Sequence, residues 1–290
     1  MHAAPRVVSD SGRVKRFDVI CAGETQWKIA DPPSSSSPMR LRPGGGAVNV
    51  ALALAREGLR VGLATVLVDD ELGRGSLERI AAARIDVEGI TLASPRAGLA
   101  LLDASGRPEQ LSLAHSREMP LEVPVGWSSQ VMLLSGLSPV VPHAAALCKA
   151  ARAARRAGAL VALDFNASLH VWAGRDPRTV RMILREVDVA RCSYSDLAVL
   201  GVDVASARAS LRESAVLIVS DARGGASAAG PFGEVTFVPR DRSRLRLHGA
   251  GDAFTAGVCR ELTRPREPGA SPAAFWDAVL RRGYAASSAG

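Results

Sequence analysis

Short apolar runs alternate along the chain with stretches of helical period. Phe17 to Ala22 (FDVICA) ends at Gly23 and reads as a first buried strand. Ala47 to Glu57 puts Val48, Ala51, Leu52 and Ala55 on one face and stops at Gly58, the pattern of a helix closed by glycine. The same grammar predicts a strand over Val61 to Val66 and a helix over Leu72 to Ala82. From Ile90 to Leu113, two alternating runs around Ser105-Gly106 predict a hairpin. Val131 to Leu134, Leu160 to Asp164, Val187 to Arg191 and Val216 to Ser220 follow as strands, and Pro142 to Ala157, Arg175 to Arg185 and Ser195 to Leu200 as helices.

Strands alternating with helices imply right-handed crossovers and an α/β fold: a doubly wound, mainly parallel sheet with helices on both faces. Asp31 to Gly46, rich in Pro, Ser and Gly, is expected to be a loop or the edge of a flap. Residues 1–16, polar and basic, are expected to be a disordered tail. Residues 17–290 then form one domain, with a small β lid around 27–45 and 90–115.

Composition supports that frame, since 47% hydrophobic and 22% charged residues are enough to bury a core, while 4% aromatics favour small-residue packing. The net charge of +7 is carried by arginine, as Lys15, Lys28 and Lys149 are the only lysines. Arginine clusters such as Arg152, Arg155, Arg156 and Arg240, Arg242, Arg244, Arg246 lack interleaved aromatics and any nucleic-acid-binding signature. Genome composition is one source of so much arginine, and an anionic small substrate such as ATP is another use for it. Cys21, Cys148, Cys192 and Cys259 stand far apart, which argues against a zinc site or a disulfide framework. No secretory pattern or long apolar run occurs, so a soluble, cytoplasmic protein with neither nucleic-acid nor membrane partner is expected.

The most informative segment is Gly249-Ala250-Gly251-Asp252-Ala253-Phe254, ahead of the helical Val258 to Leu262. Small residues at a helix start let backbone N–H groups approach an anion, and the helix dipole adds to the attraction. Asp252 there is placed to take the proton of a hydroxyl attacking phosphorus. A dinucleotide fingerprint needs a glycine where Phe254 stands, and no lysine follows a glycine as a Walker A loop requires. By itself the segment reads equally well as a turn and a capped helix.

Context changes the balance. Gly45-Gly46-Ala47-Val48-Asn49, Val68-Asp69-Asp70-Glu71-Leu72-Gly73, Asp164-Phe165-Asn166 with Trp172, and Gly249 to Phe254 occur in the order of four motifs of the ribokinase-like (pfkB) carbohydrate kinases. From about Phe17 onward the chain resembles that family, as a divergent member. The resemblance implies an ATP-dependent kinase that phosphorylates a hydroxyl of a small sugar or sugar derivative with Mg²⁺. Asp252 is then the catalytic base, beside an anion hole from Gly249, Ala250 and Gly251. Gly45, Gly46, Asn49, Asn166 and Lys28 face the sugar-like substrate, Ser193, Ser220, Arg223 and Gly225 face ATP, and Asp196 helps hold the metal. A homodimer paired through the lid is also implied.

Several positions depart from the family pattern. Lys28 stands where an Asp is usual, Arg246 and Leu247 replace Asp and Thr, and Ser193-Tyr194-Ser195-Asp196 replaces N-x-x-E. Ser168 stands where an Arg is expected after Asn166. A non-catalytic ligand-binding relative and a nucleoside kinase are the alternatives these departures leave open.

Overall fold

The computed structural model describes residues 14–23, 25–30, 40–93, 99–102, 108–112, 121–136, 144–167, 177–241 and 249–288. Residues 1–13, the Ser105-Gly106 turn, Ser168, Trp172, Arg246 and Leu247 lie outside them. The main sheet takes nine strands: β1 (Lys15–Gly23), β4 (Val61–Val68), β5 (Ile90–Ala93), β8 (Trp127–Ser135), β9 (Leu160–Asp164), β10 (Val189–Ser193), β11 (Val216–Ser220), β12 (Ala226–Gly230) and β13 (Gly233–Phe237). Their spatial order is β13-β12-β11-β10-β9-β8-β1-β4-β5. Pairings are parallel from β5 through β11, and the β12–β13 hairpin closes one edge antiparallel. A second sheet of four strands, β3 (Arg40–Gly44), β2 (Gln26–Ala30), β6 (Leu99–Leu102) and β7 (Pro108–Ser112) in that order, leaves the main sheet after β1 and after β5.

The helices are α1 (Gly46–Arg56), α2 (Glu71–Ala82), α3 (Ala144–Arg156), α4 (Pro177–Leu184), α5 (Tyr194–Leu200), α6 (Val204–Ala209), α7 (Ala250–Leu262) and α8 (Pro272–Ser288). They cover both faces, because strands buried on two sides alternate their apolar side chains between two cores. Val131 and Leu133 of β8 join Val48 of α1, Ile80 of α2, Phe254 of α7 and Val279 of α8. Met132 and Leu134 point the other way, to Leu147 of α3, Ile183 of α4, Leu197 of α5 and Ala207 of α6. Helix α7 lies close on α8, where a side chain at Gly257 would meet the Arg282 carbonyl at 2.5 Å.

Strand β1 starts at Lys15, so Lys15 and Arg16 leave the expected tail and pair with Trp127 and Ser128. The Lys15 ammonium accounts for this, held by Asp86 at 2.8 Å and by Glu88. Ile90–Ala93 belongs to the main sheet, paired with β4, so the expected lid hairpin is confined to β6 and β7. Strand β10 starts at Val189, since the Asp188 carboxylate is turned onto the Val161 N–H at 2.8 Å. Arg40–Gly44, expected as loop or flap, is a strand paired with β2. Strand β12 and helix α6 carry Ala-rich sequences with little periodic signal, which is why the sequence did not announce them.

Candidate functional site

The starts of α1, α5 and α7 and the ends of β8, β9, β10 and β11 meet at the C-terminal edge of the main sheet, the usual ligand edge of an open α/β sheet. Gly249, at φ 72°, turns the chain into α7 without a side-chain cap, so the first N–H groups of that helix are left to another partner. Asp252 stands in this first turn. Helix α1 opens the same way: Gly45 has φ 99°, a conformation that glycine adopts readily, and no side chain caps the helix. One turn in, Asn49 donates from Nδ2 to Asp252 Oδ2 at 2.6 Å, joining residues 203 positions apart.

Gly46 is held by crowding. A β-carbon there would stand 2.3 Å from Ser135 Oγ, 2.9 Å from Asn166 Nδ2 and 3.6 Å from Asp252 Oδ1. Asn166 follows β9 with φ 39°, a left-handed conformation that asparagine tolerates better than most residues. Gly45, Gly46, Asn49, Asn166 and Asp252 are thus brought together, as the sequence suggested. Lys28 lies at mid-strand in β2, paired in register with Arg42 of β3 and Ala100 of β6.

On the other side of the α7 start is a cavity of about 450 Å³. Ala250, Gly251, Ser193, Asp196, Ser220 and Gly225 are among the residues that line it. Ser193 caps α5 in a capping box: its Oγ accepts from the Asp196 N–H, and Asp196 Oδ2 accepts from the Ser193 N–H at 2.6 Å. Asp196 Oδ1 takes the Ala167 N–H at 2.7 Å, which ties the turn after β9 to α5. Asp221 Oδ1 accepts from the N–H groups of Arg223 and Gly225, at 2.6 and 2.9 Å. That turn brings Gly225 to the cavity, whereas Arg223 is exposed and is not among the lining residues.

Sequence reasoning missed the centre of this arrangement. Arg191 of β10 is opposite Asp164 of β9 in register, and its side chain is 10% exposed against 1% for Asp164. Its Nη1 donates to Asp164 Oδ1 at 3.1 Å and its Nη2 to Ser220 Oγ at 2.6 Å. Thr255 Oγ1 of α7 donates to Asp164 Oδ2 at 2.7 Å. Burial pushes the Asp164 carboxyl up from 3.8 to about 6; Arg191 and the Thr255 hydroxyl pull it down, while Asp196 and Asp252 add to the rise. Burial also works against the Arg191 charge, but Asp164 and Asp196 outweigh it and hold the guanidinium above its ordinary range. An arginine inside the otherwise apolar run Val189 to Cys192 was the available signal.

Known proteins show the same outline. Residues 17–289 match the pfkB family carbohydrate kinases. A fructokinase from Klebsiella pneumoniae is 28% identical over 262 residues, covering 81% of this chain and 83% of its own. A 5-dehydro-2-deoxygluconokinase from Shouchella clausii is 27% identical over 183 residues, covering 57% and 56%. The crystal structure of aminoimidazole riboside kinase from Salmonella enterica, complexed with aminoimidazole riboside and an ATP analogue, superposes with a TM-score of 0.76. Its identity is 22%, over 95% of this chain and 94% of that one.

Proposed function

The chain belongs to the pfkB family of carbohydrate kinases and is a sugar kinase, and from that premise we propose that it moves the terminal phosphoryl group of ATP to a hydroxyl of a small sugar-like acceptor. The observation that carries this reading is the pairing of Asn49 with Asp252 at an uncapped helix start that opens onto the Arg191 cavity. The acceptor side takes Gly45, Gly46, Asn49 and Asn166, where the missing side chain of Gly46 lets its backbone close on Ser135 and Asn166 and two amides are available for hydrogen bonds to a ligand. Lys28 is assigned to the same side from the second sheet. The nucleotide side takes Ser193, Ser220, Gly225 and the turn that includes Arg223.

Asp252 accepts the proton of the attacking hydroxyl, a step worth roughly 10²–10⁴ in rate for a positioned base. Asn49 orients it by holding Oδ2. Charge building on the phosphoryl oxygens is met by the N–H groups of Gly249, Ala250 and Gly251 and by the dipole of α7. Such donors cost no reorganisation as the reaction proceeds.

Asp196 and Asp252 both act on the Asp164 carboxyl, and Asp164 and Asp196 act on the Arg191 guanidinium. A polyphosphate entering that field needs more positive charge, which a divalent cation arriving with the nucleotide supplies. Among the described residues no three His, Cys, Asp or Glu side chains gather as a metal cage. Asp196, its two oxygens turned to the N–H groups of Ala167 and Ser193 and to the Ser193 hydroxyl, suits a hold on Mg²⁺ through water. Among the described residues no helix is long and apolar enough to cross a membrane, which accords with a soluble enzyme.

The test is ADP release by the purified chain with ATP and Mg²⁺ against a panel of neutral sugars, acidic sugars and nucleosides. Acceptor-dependent release with a sugar is expected. Release confined to nucleosides would move the assignment to a nucleoside kinase, and no acceptor-dependent release would remove it.

A further inference from the structure

We propose that Arg191 binds the terminal phosphate of the nucleotide, as a fixed cation set into the floor of the cavity beside the α7 start. This rests on the nucleotide reading above and adds a contact that the four sequence motifs do not contain. Among the described residues lining that cavity, Arg191 is the one lysine or arginine. Its guanidinium lies beside the helix opening: a β-carbon at Gly251 would be 3.3 Å from Nη1 and 3.5 Å from Nη2. Glycine there keeps the guanidinium open to whatever binds the helix N–H groups.

A buried charge must be paired, and Asp164 accomplishes that from the neighbouring strand. The pairing is incomplete as hydrogen bonding. Guanidinium has five N–H donors; Asp164 and Ser220 engage one Nη each, and the buried Nε has no partner among the described residues. The plane is further fixed by the Phe254 ring, 5.6 Å from the guanidinium carbon. A rigid, partly unsatisfied cation next to helix N–H groups is a receptor for a dianionic oxygen cluster, and a phosphate is the anion that suits it in charge and in geometry. The terminal phosphate is the one that must reach the α7 start beside Asp252, so the contact falls on ATP and is lost with ADP.

Arg191→Met alone strands Asp164 as a buried carboxylate, so the primary variant is R191M/D164N, which removes both charges together. Calorimetric titration with ATP and with ADP, in Mg²⁺, compares it with the wild type, and a thermal melt checks folding. ATP binding is expected to weaken by ~10-fold or more and ADP binding by less than about threefold, as loss of a charge-assisted contact requires. On any acceptor that supports turnover, kcat should fall by roughly 10²-fold with little change in acceptor KM. Equal weakening of ATP and ADP, or weakening of neither, would overturn the proposal. If the double variant does not fold, R191K decides: it keeps the charge and loses the fork, and unchanged ATP affinity with unchanged kcat would overturn the contact. A wild type that prefers ATP through Arg191 but turns over no acceptor would refute the kinase reading and leave this contact standing.

Discussion

Gly46→Ala offers a graded test of how tightly the acceptor side is built. The added methyl falls 2.3 Å from Ser135 Oγ and 2.9 Å from Asn166 Nδ2, against ordinary contact of 3.4–4 Å. The Ser135 backbone has little freedom to retreat, because β8 pairs with Gly23 on one side and Asp164 on the other. The hydroxyl must rotate away and the Asn166 amide must give by about half an ångström. Overpacking of this kind costs about 1–3 kcal/mol of stability. Displacing a positioned group by that much lowers turnover by roughly 10- to 100-fold. Urea denaturation supplies the first quantity and ADP release with the identified acceptor the second. Ser135→Ala separates them: its Oγ is buried without a hydrogen-bond partner among the described residues, so its loss alone should cost less than about 0.5 kcal/mol. In the double variant the 2.3 Å clash is gone and about 1 kcal/mol should return, while turnover stays low because Asn166 is still crowded. A Gly46→Ala protein with unchanged stability and unchanged kcat/KM would refute the reasoning.

Asp252→Asn keeps the shape of the side chain and its place beside Asn49 but accepts no proton, so kcat should fall by ~10²-fold or more with ATP affinity nearly constant; near-normal kcat would remove the base assignment. Asp196→Ala should raise the Mg²⁺ needed for half-maximal activity and, by undoing the α5 capping box, lower stability by about 1 kcal/mol, and a metal titration matching wild type would refute the magnesium role. Asp164 titrates higher in the folded chain, about 6 against 3.8, so the folded state binds the extra proton between those values. Its contribution to stability is present below the lower value and lost as pH rises through the upper one, a fall of about 3 kcal/mol. The stability difference between wild type and Asp164→Asn should therefore decline from pH 4 to 6, and a flat difference would contradict it.

What the sequence disclosed and what it hid follow from the range of each interaction. Gly249 to Asp252 was legible because glycines and an acid at a helix start carry their meaning locally, through backbone conformation and exposed N–H groups. Gly45-Gly46 with Asn49 was legible for the same reason. The contact that unites them is long-range, and its assignment to one site needed the family pattern. Arg191 was hidden because its meaning depends on the β9–β10 register, which sets it opposite Asp164, and on α7 delivering Thr255 to the same carboxylate. Ser135 was hidden likewise, since only the approach of Gly46 gives its hydroxyl a neighbour. In the fold, strands buried on two faces announced themselves, whereas Ala226–Gly230 has too few branched or aromatic residues to read as a strand. Lys15 read as tail because its partners, Asp86 and Glu88, lie in a distant turn.

The 203 positions between Asn49 and Asp252 also set a timetable for the newborn chain. A ribosome adding about 5–20 residues per second takes roughly 10–40 s to travel from one to the other. During that interval the glycines and the Asn49 amide at the start of the early helix, assigned above to the acceptor side, exist without the carboxylate that Asn49 holds. The segment carrying Gly249 to Asp252 is made late and closes on α8, which is made later still. On the proposed assignment, chemical competence is therefore withheld until α7 has been made, and an unfinished chain that lacks α7 has neither the proposed base nor the proposed anion hole with which to consume nucleotide.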